Sequence, residues 1–252
     1  MRAYCFFIGW ALPFLLSAQE AALHWGAAHT QWQDPQLTPL LLSGYSMAGG
    51  LSYTRHKPSH YRRFQLLYTV SDLKSAGSGT YTESSNTTRY NHAPMNHFEL
   101  WTVHQQKAFS AMAGFIGHLT VSFRKHHYIG GLTEDQFEGA LGFGPALGLG
   151  WQAQETIACR VLLGAPLLHY ALTKRHSPRY FSTKWIGLAA DLHGPGGCAL
   201  LHAEAGAQWA ISNRAGLSLA YQLQYIHLQI ARRQRSLQHR LLFGLHFKWL
   251  KP

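Results

Sequence analysis

The segment His239–Trp249 reads HRLLFGLHFKW. Leu241, Phe243, Leu245, Phe247 and Trp249 share one parity. Arg240, Leu242, Gly244, His246 and Lys248 share the other. Successive residues of a β-strand point to opposite sides, so one face is greasy and the other is mostly polar or small. A wall with such faces must put its greasy side against something apolar.

The pattern repeats. Period-two alternation marks ten segments: Leu23–Gln33, Gly44–Arg55, His60–Leu73, His97–Lys107, Ala111–Lys125, Phe137–Trp151, Thr156–Leu172, Ala199–Ile211, Ala215–Gln229 and His239–Trp249. In Phe137–Trp151 the face opposite the large residues is built from glycine and alanine, which suits a wall packed against bulky neighbours inside. The connections alternate between long polar stretches, such as Lys74–Asn96 and Thr173–Gly197, and tight ones, such as His56–Ser59 and Ala108–Ser110. That parity belongs to an antiparallel up-and-down transmembrane β-barrel, all-β, with long extracellular loops and short periplasmic turns. Ten strands are expected. Trp185–Leu192 alternates weakly and reads either as a loop hairpin or as an added strand pair that would make twelve. The competing fold is a soluble β-sandwich, and the discriminator is which face of Ala215–Gln229 and His239–Trp249 is buried.

Composition agrees. Charged residues make up 13% and hydrophobic ones 46%, against about 25% charged in an ordinary soluble chain. Met-Arg, the apolar run Ala3–Leu16 and the small residues after it read as a signal peptide over 1–18. A single barrel domain is then expected over 19–252, exported to the bacterial outer membrane. The net charge of +11 would suggest nucleic acid in a soluble protein, but export argues against that partner. It suits anions such as lipopolysaccharide phosphates instead. Expected partners are outer-membrane lipids, lipopolysaccharide and the barrel-assembly machinery at insertion. Cys159 and Cys198 are the cysteines after the leader, and their pairing stays open.

Three segments carry a family resemblance. They are Pro39–Tyr45 leading into Leu51-Ser52-Tyr53; Leu141-Gly142-Phe143-Gly144-Pro145; and Gly164-Ala165-Pro166-Leu167-Leu168 followed by Ser177-Pro178-Arg179-Tyr180. On these the chain resembles uncharacterised outer-membrane β-barrel proteins of Bacteroidetes. The resemblance implies an outer-membrane barrel and no particular activity.

No cofactor is implied. His126-His127 beside Lys125 sits at an expected outer loop, where it could meet anions or a metal, but no metal-ligand spacing is present. Arg63, Arg124, Arg160, Arg240 and Lys248 have inward parity, as do Glu138 and Glu204, and Glu99 is assigned with them. Arg63, Arg124, Arg160, Glu204 and Arg240 are the candidate ligand-binding residues of the lumen. The plainer reading of the set is a plug of paired charges, since ten strands leave little more than side-chain room. For catalysis, His118 and Ser122 lie about 13 Å apart along one strand. His202 and Glu204 are same-face neighbours with no evident serine, and there is no Gly-x-Ser-x-Gly elbow. The expectation is a non-enzymatic barrel of structural, adhesive or narrow-transport duty. The alternatives are a lipid-modifying hydrolase and a narrow anion-preferring channel.

Overall fold

A computed structural model describes residues 20–34, 38–75, 87–127, 133–174, 188–194, 197–228 and 234–249. The expected leader, 1–18, lies outside the described residues. The described residues form twelve strands: β1 Glu20–Asp34, β2 Thr38–Lys57, β3 His60–Ser75, β4 Thr87–Gln106, β5 Phe109–His127, β6 Thr133–Gln154, β7 Ile157–Gly164, β8 Leu168–Lys174, β9 Leu188–His193, β10 Cys198–Ala210, β11 Ala215–Leu228 and β12 Gln234–Lys248. All ladders are antiparallel. Ten strands close a barrel, running from β1 through β7, then β10, β11 and β12 back to β1. Closure joins the two edges of the ten-strand wall, which is what a sheet needs to cross a bilayer.

β8 and β9 form the extra pair. β8 follows β7 along the same partner, β6: Gly164 faces Ala146 and Leu168 faces Phe143. Four steps on one strand thus match three on the other, a β-bulge around Ala165-Pro166-Leu167. The bulge stays tied to β6, with Ala165 N donating to Pro145 O and Leu167 N to Phe143 O, both at 3.0 Å. Trp185–Leu192, read as a hairpin or an added pair, overlaps β9, which pairs with β8 and extends the wall.

The outer face is apolar over a broad band. Leu23, Trp25, Leu141, Phe143, Leu147, Leu201, Leu217, Tyr221, Leu241, Phe243 and Phe247 are all exposed large side chains. Their neighbours in sequence point in, and Gln222, Gln224 and Arg240 are completely buried. The expected facing of β11 and β12 holds, and the sandwich alternative falls with it. Leu219→Arg, in this band, should cost about 2–4 kcal/mol of insertion. The check is the folded fraction in vesicles, read from heat-modifiable electrophoretic mobility. Gln222→Arg, at an inward position, would be tolerated only if the lumen had room there. Gln222 Nε2 already donates to Gln65 Oε1 at 2.8 Å and Glu204 Oε2 at 2.7 Å, so an arginine there should also lower the folded fraction.

Thr156–Leu172, expected as one strand, is divided into β7, the bulge and most of β8, while several other strands run longer than the alternation suggests. β4 starts ten residues before His97, and β5 carries His126 inside the barrel rather than on a loop. His126 is buried, 2.7 Å from the Thr88 hydroxyl and packed on Trp32. Glu99 is corrected as well. It faces outward near the end that carries the chain termini, where Arg62 Nε donates to it at 2.7 Å and His60 and His97 approach it. Phe98 and Leu100 fill the lumen in its place. Cys159 and Cys198 are free thiols. Cys159 is level with Ala207 on β10, and nine residues at ~3.3 Å each separate Ala207 from Cys198, far beyond disulfide reach.

Candidate functional site

The lumen is filled in its middle. One side is greasy: Tyr61, Phe98, Leu100, Met112, Ile116 and Leu162 pack together from β3 to β7. The glycine face of β6 makes this possible. A Cβ on Gly148 would stand 2.9 Å from Leu100 and 3.0 Å from Met112. The other side is polar and internally bonded. Arg63 pairs with Glu204, whose second oxygen accepts from Gln222. Arg240 donates from Nη1 and Nη2 to Gln224 Oε1, both at 3.0 Å, and also to Gln238. His118 meets Asn96 at 2.6 Å.

Four of the five candidate ligand residues are therefore spent on one another or on the wall. Arg63 and Glu204 form one pair. Arg124 pairs with Glu138, donates to Gln234 at 3.1 Å and lies over Trp32. Arg240 is held by glutamines. Arg160 differs: its guanidinium lies 4.2 Å over the Tyr61 ring, and its Nε meets no partner. Among the described residues no cluster of three metal-ligating side chains is found.

Arg160 borders a vestibule of about 60 Å³ at the end of the barrel that carries the termini. That exceeds the roughly 10–15 Å³ one water needs. Its wall also holds Glu20, His24, Ser52, Gln208, Ser218 and His246. Three strands meet here. Ser218 of β11 stands opposite Gly244 of β12. His246 is two residues on from Gly244, on the same face. β1 places Ala22 opposite His246 and Glu20 opposite Lys248, so Glu20 is His246's diagonal neighbour. The Ser218 hydroxyl lies 2.6 Å from His246 Nε2, and His246 Nδ1 lies 2.5 Å from Glu20 Oε1. Gln208 Nε2 donates to the same Glu20 oxygen at 3.0 Å.

Gly244 leaves the space this arrangement uses. A Cβ there would stand 2.3 Å from Ser218 Oγ, 3.0 Å from His24 Nδ1 and 3.1 Å from His246 Nε2. His24 is fixed from its other side, Nε2 to Ser52 Oγ at 2.7 Å, and its buried Nδ1 has no partner. A lipid-modifying barrel enzyme would need a serine–histidine pair at the outer rim, facing lipid; among the described residues the serine–histidine pairs lie elsewhere. They meet inside, at the opposite end. The inward parity of Ser218 and His246 is readable in the sequence. The closeness of Glu20 is not, because it comes from the β1–β12 closure.

No family model matches this sequence, and no curated protein matches it. Solved outer-membrane barrels are similar in backbone. The outer membrane protease OmpT from Escherichia coli shares 9% identity at a TM-score of 0.48, with 91% of this chain and 96% of that one covered. The Ail attachment invasion locus protein of Yersinia pestis, in complex with the heparin analogue sucrose octasulfate, shares 10% at 0.40, covering 90% and 98%. Neisserial surface protein A shares 13% at 0.38, covering 91% and 97%.

Proposed function

We propose that this chain is an outer-membrane barrel sealed against diffusion, whose duty is structural or adhesive at the cell surface. The observation that supports this is the lumen plug. Phe98, Leu100 and Leu162 on one side and the Arg63–Glu204 and Arg240–Gln224 pairings on the other fill the mid-barrel. Ten strands lie close to the eight that only just enclose packed side chains. The exposed apolar band supports a lipid setting, with lipopolysaccharide as the surrounding anion for a chain of net charge +11. Delivery by the barrel-assembly machinery and kinship with the Bacteroidetes-type barrels belong to the same reading. Two of the segments that carry the kinship face each other, Gly144-Pro145 against Ala165-Pro166 at the bulge.

Planar-bilayer recording tests the proposal. The purified, folded barrel should give no conductance steps. A variant with Arg240→Ala and Phe98→Ala, cleared of plug on both sides, should give small steady ones. Conductance from the unaltered protein would remove the sealed-barrel reading and favour narrow transport. Carbonate-washed fractions test the location: the chain should stay with the outer membrane.

A further inference from the structure

The inner vestibule carries more than a surface role requires. We propose that Ser218, His246 and Glu20 form a hydrolytic site that cleaves short esters carrying an anionic group, with Arg160 holding that group. The geometry is that of an activated nucleophile: a hydroxyl within hydrogen-bond reach of an imidazole, and the imidazole oriented by a carboxylate. Glu20 accepts from His246 Nδ1–H, which leaves Nε2 free to take the Ser218 proton. Gln208 fixes Glu20 from the side.

Two further observations point to a ligand. Ser218 and Ser52 both border the cavity, but Ser218 is only half-buried, whereas Ser52, the serine paired with His24, is 3% exposed. His24 instead supplies what an acyl-transfer site needs beside its nucleophile. The His24 proton is assigned to Nδ1, with the Ser52 hydroxyl donating to Nε2 across the 2.7 Å contact. That unpartnered donor lies 3.0 Å from the empty Gly244 Cβ position, and Ser218 Oγ lies 2.3 Å from it. A donor fixed where negative charge develops is the requirement for stabilising an oxyanion.

The reaction balances with water as the second reactant. Ser218 Oγ attacks the ester carbonyl carbon as its proton passes to His246 Nε2, and the oxyanion receives the His24 Nδ1–H. The bond from the carbonyl carbon to the alcohol oxygen breaks, and the proton on Nε2 goes to that oxygen, leaving acyl-Ser218. Water then attacks the acyl carbon and gives a proton to Nε2. The bond to Oγ breaks and the proton returns to Oγ, releasing the acid. The small cavity restricts the acyl group to a short one. The unpartnered Arg160 Nε favours a carboxylate or phosphate on the substrate.

The test uses the full barrel folded in detergent, with folding confirmed by heat-modifiable mobility. A fluorophosphonate probe should form one adduct, which peptide mass spectrometry places on Ser218. His246→Gln should lower the labelling rate about 10²-fold or more, and Gly244→Ala should suppress labelling while every reacting group is kept. A matched pair of esters reads the anion site. Arg160→Gln should raise KM for 3-acetoxybenzoate about tenfold more than it raises KM for phenyl acetate. Folded protein without a Ser218 adduct overturns the proposal. So does equal labelling of Ser52, or labelling that His246→Gln does not slow. A KM change of the same size for both esters overturns the role of Arg160.

Discussion

Glu204→Gln is expected to destabilise the folded barrel by about 3–5 kcal/mol. The substitution is nearly isosteric, so the loss comes from charge rather than volume. Arg63 and Glu204 are 7% and 8% exposed, and each is the other's counter-ion. Gln222 ties the second Glu204 oxygen to Gln65, so the pair is held on every side by groups that cannot turn away. Neutralising the carboxylate leaves a guanidinium in the lumen with amides around it and no anion. Adding Arg63→Met should recover most of the loss, because two buried apolar or neutral groups cost far less than one buried charge. Denaturant titration of the protein in vesicles gives the unfolding midpoints for the cycle of four proteins. A single variant that unfolds with the unaltered protein, or a double variant worse than the single, would show that the pair is not the mid-lumen's keystone.

Much of this architecture is legible in the chain because lipid enforces alternation. Leu217, Leu219, Tyr221 and Leu223 must all face out, and a slip of one residue would turn Ser218, Gln222 and Gln224 into lipid. That pressure ends where the wall leaves the hydrocarbon. Residues 87–96 form ladder with β3 and β5 although their sequence reads as loop. Near the end that carries the termini the outer face holds an Arg62–Glu99 ion pair, so parity by polarity assigns Glu99 to the wrong side. Arg63, Arg124 and Arg240 have hydrogen-bond partners 141, 110 and 16 positions away, Glu204, Gln234 and Gln224. Inward parity finds the charges but does not say which of them meet.

The serine site shows the same limit more sharply. Its members, Glu20, Ser218 and His246, come from the first strand and the last two, and Glu20 and His246 meet only because β1 returns to β12. Neither a spacing rule nor a motif on one strand could reveal it. What the sequence does show is Gly244 on the inward face beside His246, and the structure makes it a missing side chain where Ser218, His24 and His246 converge. In β6 the alternating glycines were legible as a face that admits bulky neighbours, and Leu100, Met112 and Leu162 are those neighbours.

The β1–β12 seam supplies the second large effect. Gly26→Ala should reduce the folded fraction severely, at a cost of about 3 kcal/mol or more, whereas Gly49→Ala should leave it close to unchanged. Gly26 stands opposite Leu242 in the ladder that closes the barrel. A Cβ there would lie 1.9 Å from the Leu241 carbonyl oxygen and 2.9 Å from the Leu242 Cα. Both are backbone atoms, so no rotamer change relieves the contact and β12 itself would have to move away. A glycine in a strand interior often marks where another backbone comes this close. Gly49, one strand over on β2, is the matched control: its nearest atom would be the His24 carbonyl oxygen at 3.8 Å, an ordinary contact. The two variants add the same methyl group to the same kind of ladder and differ only in what that methyl meets. Heat-modifiable mobility gives the folded fraction, and amide exchange at Leu241 and Leu242 locates the damage at the seam. Equal losses in both variants would mean that glycine content, rather than close approach of β1 to β12, limits closure. Because Glu20 reaches His246 through this seam, Gly26→Ala protein that does fold should also lose fluorophosphonate labelling at Ser218. A folded Gly26→Ala barrel that still labels at the normal rate would show that the seam is not what assembles the site.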